Sequence, residues 1–334
     1  MTRPHHAPLV DGFGRVHTDL RVSLTDRCNL RCTYCMPAEG LNWLPRAEVL
    51  TDDEVVRLVR IATGRLGITS VRLTGGEPLL RRGLPGLVAR LGVPDAAPEL
   101  SITTNGIGLA RSATALRDAG LSRVNVSLDT LRPERFAAIT RRDRLGDVLD
   151  GLRAARVAGL APVKINAVPV RGVNDDEIAE LTAFAVEHGY RIRFIESMPL
   201  DAQGAWDRGR MVTAEEILGR LHERFELVPA ERRGNAPAEE WRIAGTDTVV
   251  GVIASVTRPF CGSCDRVRLT ADGQLRNCLF ATEESDLRAL LRGGADDAAL
   301  EAAWRTSVSG KGPGHSVNSP DFRRPERPMS AIGG

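Results

Sequence analysis

The chain has 334 residues, of which 45 are basic and 43 acidic, and its formal net charge is +2 at pH 7. This balance, together with an aromatic content of 4%, argues against binding of nucleic acid along a charged or base-stacking surface. No apolar run reaches the roughly 18 residues of a membrane span, and residues 1–11 contain no apolar secretion signal. We therefore expect a cytoplasmic protein without a membrane or nucleic-acid partner.

Short runs rich in β-branched residues alternate with helical stretches between about residues 20 and 225, as in βα units. Capping boxes at Thr51 to Glu54 and at Asn174 to Glu177 predict two helix starts. The order predicts an α/β fold with an incomplete (β/α)6 barrel of the TIM type. The six predicted strands are Leu20 to Leu24, Ser70 to Leu73, Leu100 to Thr103, Arg123 to Leu128, Val163 to Val168 and Arg191 to Ile195.

A cluster of turn-forming or polar residues lies at the end of each predicted strand. Any one cluster is explained by a simple turn. Because six occur in phase, and barrel active sites lie at the carboxyl ends of strands, we expect one shared site there. The clusters are Thr25 to Cys28, Thr74 to Pro78, Thr104 to Gly106, Ser127 to Asp129, Lys164 to Asn166 and Glu196 to Pro199.

The pattern changes after a polar stretch near Pro229 to Pro237. Strands are predicted at Trp241 to Ile243 and at Thr248 to Val256, and a hairpin at Arg266 to Leu279 is turned by Asp272-Gly273. We expect two domains: residues 1–225 form the partial barrel and residues 226–334 form a smaller α+β domain.

The six cysteines form two triplets: Cys28, Cys32 and Cys35, then Cys261, Cys264 and Cys278. In a reducing compartment this pattern indicates metal binding rather than disulfides. Three thiolates at the first spacing can hold three irons of a four-iron cluster and leave one iron open. A zinc site is the alternative for both triplets. For the second triplet, with His315 as a fourth ligand, spacing alone favours neither metal.

The first triplet, in the segment Asp26 to Cys35, resembles the signature of the radical S-adenosylmethionine superfamily, and Thr74 to Pro78 is similar to its glycine-rich element. The second triplet with Arg266 to Arg268 narrows the resemblance to the GTP 3',8-cyclase family, also called molybdenum cofactor biosynthesis protein A. The likeness extends from Gly14 to the terminal Gly333-Gly334. Arg141 is a departure, because the family more often has glycine there, and it bears only on local loop shape.

The resemblance implies two [4Fe-4S] clusters, one on each triplet, the second within the C-terminal domain, and S-adenosyl-L-methionine as cofactor. It implies cofactor contacts from Tyr34, Gly76, Ser127 and Met198. The implied GTP contacts are Arg21, Arg72, Thr103, Lys164, Arg266, Val267 and Arg268. The implied catalytic residues are Arg21, Arg266, Arg268, Gly333 and Gly334, the last two in a tail that reaches into the active site.

The same resemblance implies the reaction. GTP becomes (8S)-3',8-cyclo-7,8-dihydroguanosine 5'-triphosphate in the first step of molybdenum cofactor biosynthesis. The implied partners are an external electron donor and a downstream cyclic pyranopterin monophosphate synthase, and a homodimer is left open. Two other functions remain as alternatives: a radical enzyme that acts on another substrate such as a peptide, and a zinc-stabilised binding protein without catalysis.

Overall fold

The strands of the protein form a single mixed sheet. In the computed structural model, residues 7–92, 97–230 and 234–333 are described, and their twelve strands have the order β12-β11-β10-β1-β2-β3-β4-β5-β6-β9-β8-β7. The strands are β1 (Asp19–Ser23), β2 (Ser70–Thr74), β3 (Glu99–Thr104), β4 (Arg123–Ser127), β5 (Val163–Ala167), β6 (Arg191–Ile195), β7 (Leu227–Pro229), β8 (Glu239–Ile243), β9 (Val249–Ile253), β10 (Arg266–Leu269), β11 (Gln274–Arg276) and β12 (Ser285–Asp286).

Strands β1 to β6 are all parallel to their neighbours, which confirms the predicted α/β fold of six units. The later strands extend this sheet at both edges. β10 pairs in parallel with β1, and β9 pairs in parallel with β6. The antiparallel strands expected after residue 226 are therefore continuous with the barrel sheet. The division at residues 225 and 226 stays a prediction.

Helices cover the outer face of the sheet, except the last one, which lies beside the site cavities. They are α1 (Asp52–Arg65), α2 (Leu84–Leu91), α3 (Leu109–Asp118), α4 (Pro133–Thr140), α5 (Leu145–Val157), α6 (Ile178–His188), α7 (Ala214–His222), α8 (Leu287–Arg292), α9 (Asp297–Ser309) and α10 (Met329–Ile332). Among the described helices, none is long and apolar enough to span a bilayer.

The capping box predicted at Thr51 is confirmed, since Thr51 Oγ1 accepts a hydrogen bond from Glu54 N, and Glu54 Oε2 accepts one from Thr51 N. The box predicted at Asn174 is wrong. The Asn174 amide instead donates to the carbonyls of Asp129 and Val168. Glu177 is buried and accepts from Thr130. Both side chains connect loops at the carboxyl ends of strands and are not free to cap the helix.

Successive side chains along each strand lie in two different environments, the apolar core on one face of the sheet and a polar central cavity on the other. On β1, Leu20 and Val22 lie in the apolar core, whereas Arg21 between them lines a central cavity. On β4, Val124 and Val126 lie in the core and Ser127 lines the cavity. Because successive side chains of a strand point to opposite faces, the outer face holds the helices by apolar burial and the inner face is left polar.

Lys164 on β5 belongs to this polar inner face and is 6% exposed. Burial, together with the charges of Arg193, Arg123 and Arg191, lowers its pKa to about 7, and Glu240 partly opposes these effects. The folded protein therefore holds a proton on Lys164 less firmly than the unfolded chain does.

We expect the stability of the wild type to rise relative to that of Lys164→Met between about pH 7 and about pH 9, by roughly 1 kcal/mol per pH unit. In this range the unfolded chain keeps the Lys164 proton while the folded chain loses it. Equilibrium urea unfolding of both proteins across that range measures the difference. A difference that does not change with pH would contradict the assignment.

Arg141, which follows α4, has a φ of 56° and is the non-glycine residue with positive φ within the described ranges. The left-handed conformation expected of a glycine is therefore kept here by an arginine. Arg141 Nη1 donates to the carbonyls of Arg31 and Met36 at 3.1 Å each, and so ties this turn to the first cysteine loop.

Replacing Arg141 by glycine or by alanine removes the same two hydrogen bonds, but only glycine adopts the positive φ without backbone strain. We expect Arg141→Gly to be more stable than Arg141→Ala by about 1 kcal/mol. Urea unfolding of the two variants tests this, and equal stabilities would show that the turn is not strained.

Candidate active site

The first cysteine triplet lies on the loop that follows β1. Cys28, Cys32 and Cys35 line a cavity together with Gly75 and Gly76 of the loop after β2. Cys28 Sγ accepts from Leu30 N at 3.4 Å, and Arg31 Nη1 donates to the carbonyl of Cys28 at 2.8 Å. Backbone and side-chain donors of the loop itself thus hold the three thiols along one wall.

Gly75 and Gly76 have a steric role in addition to lining the cavity. A Cβ atom on Gly76 would overlap the carbonyl oxygens of Asp26 and Arg27, and one on Gly75 would overlap that of Thr25. Gly76 N donates to Thr25 O at 2.7 Å. The glycines therefore let the loop after β2 pack directly on the cysteine loop.

Glu77, next to these glycines, is fully buried and connects three strand ends. Its carboxylate accepts from Thr104 Oγ1 and Asn105 N at 2.7 Å each, and its own amide donates to Arg27 O at 2.8 Å. Burial raises the pKa of Glu77 to about 7 even though these hydrogen bonds lower it. Glu77 supports the cysteine loop from behind.

Three adjoining cavities share lining residues beside the first triplet. Tyr34 lines all three, and its hydroxyl donates to Asp129 Oδ2 at 2.6 Å. Ser127 and Thr103 line the first cavity and the central one, and Met198 lines the second and the central one. The predicted cofactor-contacting residues thus lie around connected space.

The second triplet lies at the central cavity, which Cys261, Cys264 and Cys278 all line. The predicted hairpin is confirmed: β10 and β11 are antiparallel, and the turn at Asp272-Gly273 places Gly273 at a φ of 78°. Cys264 precedes this hairpin and Cys278 follows it. Three loops distant in sequence thus bring the two thiol triplets to cavities that share lining residues.

The donors fit iron–sulfur ligation. All six cysteines are free thiols, and three thiolates are the ligand set of a four-iron cluster with one open iron. Over residues 7–92, 97–230 and 234–333, no three His, Cys, Asp or Glu side chains lie close enough to hold a single metal ion.

The central cavity is strongly basic. Its described lining includes five arginines and one carboxylate, Asp129. Burial first, and then the charge of Arg72, lowers the pKa of Arg21 to about 9, and burial lowers that of Arg72 to about 10. Neither Arg21 Nε nor Arg193 Nε has a hydrogen-bond partner. The arginines are Arg21, Arg72, Arg193, Arg266 and Arg268.

Two of the residues implied as substrate contacts lie apart from the cavity. Val267 is packed in the apolar core because it alternates with Arg266 and Arg268 on β10, so any contact with a ligand in the cavity would come from its main chain. Lys164 does not line the cavity either, whereas Asn166, two residues further along β5, does. Asn166 belongs to the predicted strand-end cluster Lys164 to Asn166. Arg193 was not expected at the site, although it is paired with Asn166 and therefore lies on the same face of the sheet.

The C-terminal segment reaches this cavity. Gly333 O accepts from Arg268 Nη1, and a Cβ on Gly333 would overlap Ser23 Oγ. Arg327 anchors the segment by donating to both carboxylate oxygens of Asp272, at 3.0 and 2.7 Å. Gly334, the other implied tail residue, lies outside the described residues.

Two family models match consecutive parts of this chain, and solved structures share its fold. A family model described as the Radical SAM superfamily matches residues 22–185, and one described as Molybdenum Cofactor Synthesis C matches residues 190–317. The solved structure of Streptococcus suis SuiB bound to S-adenosylmethionine is 15% identical, with a TM-score of 0.60 over 93% of this chain and 76% of that one. Native anSMEcpe with bound AdoMet is 13% identical, with a TM-score of 0.57 over 90% and 83% of the two chains. These likenesses support the fold.

Much nearer relatives exist among curated proteins. The GTP 3',8-cyclase of Streptomyces coelicolor is 63% identical over 98% of this chain and 96% of its own length. That of Mycolicibacterium smegmatis is 60% identical over 99% of this chain and 93% of its own length. At this identity over almost the whole of each chain, the protein belongs to the GTP 3',8-cyclase family.

Proposed function

We propose that the protein converts GTP to (8S)-3',8-cyclo-7,8-dihydroguanosine 5'-triphosphate, the first step of molybdenum cofactor biosynthesis. The support is the identity with curated proteins named GTP 3',8-cyclase, together with matches to both family models along the chain. In this reaction a C3'–C8 bond forms while the C3'–H bond of the ribose and the N7–C8 double bond of the guanine are lost. The C3' hydrogen leaves in 5'-deoxyadenosine, and N7 receives a proton and one electron from the external donor.

Each cysteine triplet would hold its own iron–sulfur cluster. Cys28, Cys32 and Cys35 would hold one [4Fe-4S] cluster, with S-adenosyl-L-methionine beside Gly76 and Ser127. Cys261, Cys264 and Cys278 would hold a second cluster. When bound, these groups supply the one-electron chemistry and a Lewis-acidic iron, which protein side chains cannot provide.

The observation that carries the proposal is the buried positive charge between the triplets. Five arginines share a cavity in which Asp129 is the carboxylate among the described lining residues. Asp19 lies 3.6 Å from Arg266 and Glu240 lies 3.7 Å from Arg193, so the cations are only partly neutralised. The remaining positive charge favours an anion, and guanidinium groups pair with phosphate oxygens in bidentate geometry. A triphosphate held there places the rest of the nucleotide between the two triplets.

The protein's own residues orient the substrate and exclude water. Arg21, Arg72 and Arg193 approach the cavity from three separate strands, so together they fix the phosphate chain and not only attract it. The segment ending at Gly333 closes the cavity beside Arg268. An external donor supplies electrons, and a separate pyranopterin synthase uses the product. We also propose a cytoplasmic location, because six free cysteines suit a reducing compartment.

The decisive experiment is anaerobic incubation of reconstituted protein with GTP, S-adenosylmethionine and dithionite, followed by product analysis. We expect the cyclic nucleotide and 5'-deoxyadenosine in equal amounts, and roughly eight irons per chain from two four-iron clusters. Formation of 5'-deoxyadenosine at the same rate without GTP would indicate another substrate, and colourless, zinc-containing protein would indicate the binding-protein alternative.

Arg193→Gln should weaken GTP binding by roughly tenfold to a hundredfold, because a buried cation facing phosphate is lost. The exposed Arg242 on β8 provides the matched control, and Arg242→Gln should bind GTP like the wild type. Calorimetric titration with GTP and with guanosine measures the effect. If the substitution weakens the binding of GTP and of guanosine equally, Arg193 does not contact the phosphates.

Gly333→Ala should lower turnover at least about tenfold, because the added Cβ would overlap Ser23 Oγ and push the segment from Arg268. The double variant Gly333→Ala/Ser23→Ala should recover part of this loss. Gly245→Ala is the control, since Gly245 has a φ of +75° and open space around it. Turnover assays under saturating GTP distinguish these cases, and full activity of Gly333→Ala would refute the steric role.

A further inference from the structure

Lysine is almost absent from this chain. Of its 45 basic residues only Lys164 and Lys311 are lysines, and the structure buries both. Lys311 follows α9, is 4% exposed and points at the second cysteine triplet. Its Nζ donates to Arg266 O at 2.8 Å, to Cys264 O at 3.3 Å and to Cys264 Sγ at 3.7 Å.

No carboxylate neutralises Lys311 within the described ranges at ion-pair distance. The acid that acts on it electrostatically is Asp11, and the Asp11 carboxylate already pairs with Arg15 Nε at 2.5 Å. The Lys311 ammonium is thus a buried cation whose nearest anionic partners are thiolates of the triplet.

Cys264 Sγ receives a second cationic donor, Arg266 Nη1, at 3.6 Å. Cys264 Sγ thus has two cationic donors, Lys311 Nζ at 3.7 Å and Arg266 Nη1 at 3.6 Å. These charges favour negative charge on this sulfur.

The surroundings of the first triplet have the opposite sign. Cys28 Sγ accepts from two neutral donors, Leu30 N at 3.4 Å and Asn105 Nδ2 at 3.8 Å. The buried carboxyls that act on this triplet electrostatically are Glu77 at Cys28 and Asp129 at Cys32, whereas Arg31 Nη1 donates to the Cys28 carbonyl and not to its sulfur. The two triplets therefore lie in electrostatically different environments within one molecule.

We propose that Lys311 is a positioning residue that acts through Cys264 to raise the reduction potential of the cluster on the second triplet. This rests on the proposed function, which supplies that cluster. A reduced cluster carries one more electron than an oxidised one, so a buried positive charge beside a ligating sulfur stabilises the reduced form. Hydrogen bonds to the sulfurs act in the same direction.

The choice of lysine is explained by geometry. An ammonium is a compact donor that can serve two carbonyls and a sulfur from one atom, whereas a guanidinium presents its donors in a planar fork. A chain that uses arginine at almost every other basic position keeps lysine where three acceptors converge on one point.

The test measures the second cluster alone, in the full-length chain with Cys28, Cys32 and Cys35 replaced by alanine. In this background, Lys311→Met removes the charge and the donors, and Lys311→Gln removes the charge but keeps N–H donors. Arg242→Gln is the matched control, since Arg242 on β8 is an exposed cation that does not line the cavity of the second triplet. Redox titration followed by electron paramagnetic resonance gives each reduction potential.

We expect the potential to fall in both Lys311 variants and to stay at its starting value in Arg242→Gln. Unchanged potentials in Lys311→Met and Lys311→Gln overturn the inference, as does an equal fall in Arg242→Gln. If Lys311→Met does not retain iron, Lys311→Gln decides alone. Absence of iron and sulfide from the parent triple-alanine protein is a different result, and it would remove the second cluster from the proposed function itself.

Discussion

Buried positive charge is the constraint around which this molecule is arranged. The inner face of the sheet places Arg21, Arg72 and Arg268 side by side, since Arg21 is paired with Arg72 on β2 and with Arg268 on β10. Asp19 offsets part of this charge, and Arg72 and Arg21 hold its pKa down against the effect of burial. The free protein therefore stores repulsion that a polyanionic ligand relieves, and ligand binding should stabilise the fold as a whole.

Much of this arrangement was predictable from local pattern. β1 to β6 lie within one or two residues of their predicted positions because β-branched residues alternate there with polar ones and turn residues follow. The cysteine spacing placed the first triplet on a single loop and the members of the second on either side of a hairpin. The alternation of side chains along β10 was also predictable from the sequence. It would have placed Val267 on the opposite face of the strand from Arg266 and Arg268.

Other features needed the three-dimensional structure. Arg193 and Lys164 share one inner face, yet only Arg193 reaches the cavity, because the depth of a residue along its strand decides which side chains meet the ligand. The error at Asn174 has a similar origin: a helix-capping pattern was overridden by carbonyls from distant loops. Pairing of β10 with β1 joins opposite ends of the chain, and no local signal indicates it.

The pairing of β10 with β1 affects how the protein folds during its synthesis. Until β9 and β10 have left the ribosome, β6 and β1 each present an unpaired parallel edge, and exposed edges template aggregation. The sheet is dominated by contacts between residues distant in sequence, which slows folding. Synthesis in a foreign host should therefore yield more native protein when elongation is slow and holding chaperones are abundant, before any metal is loaded.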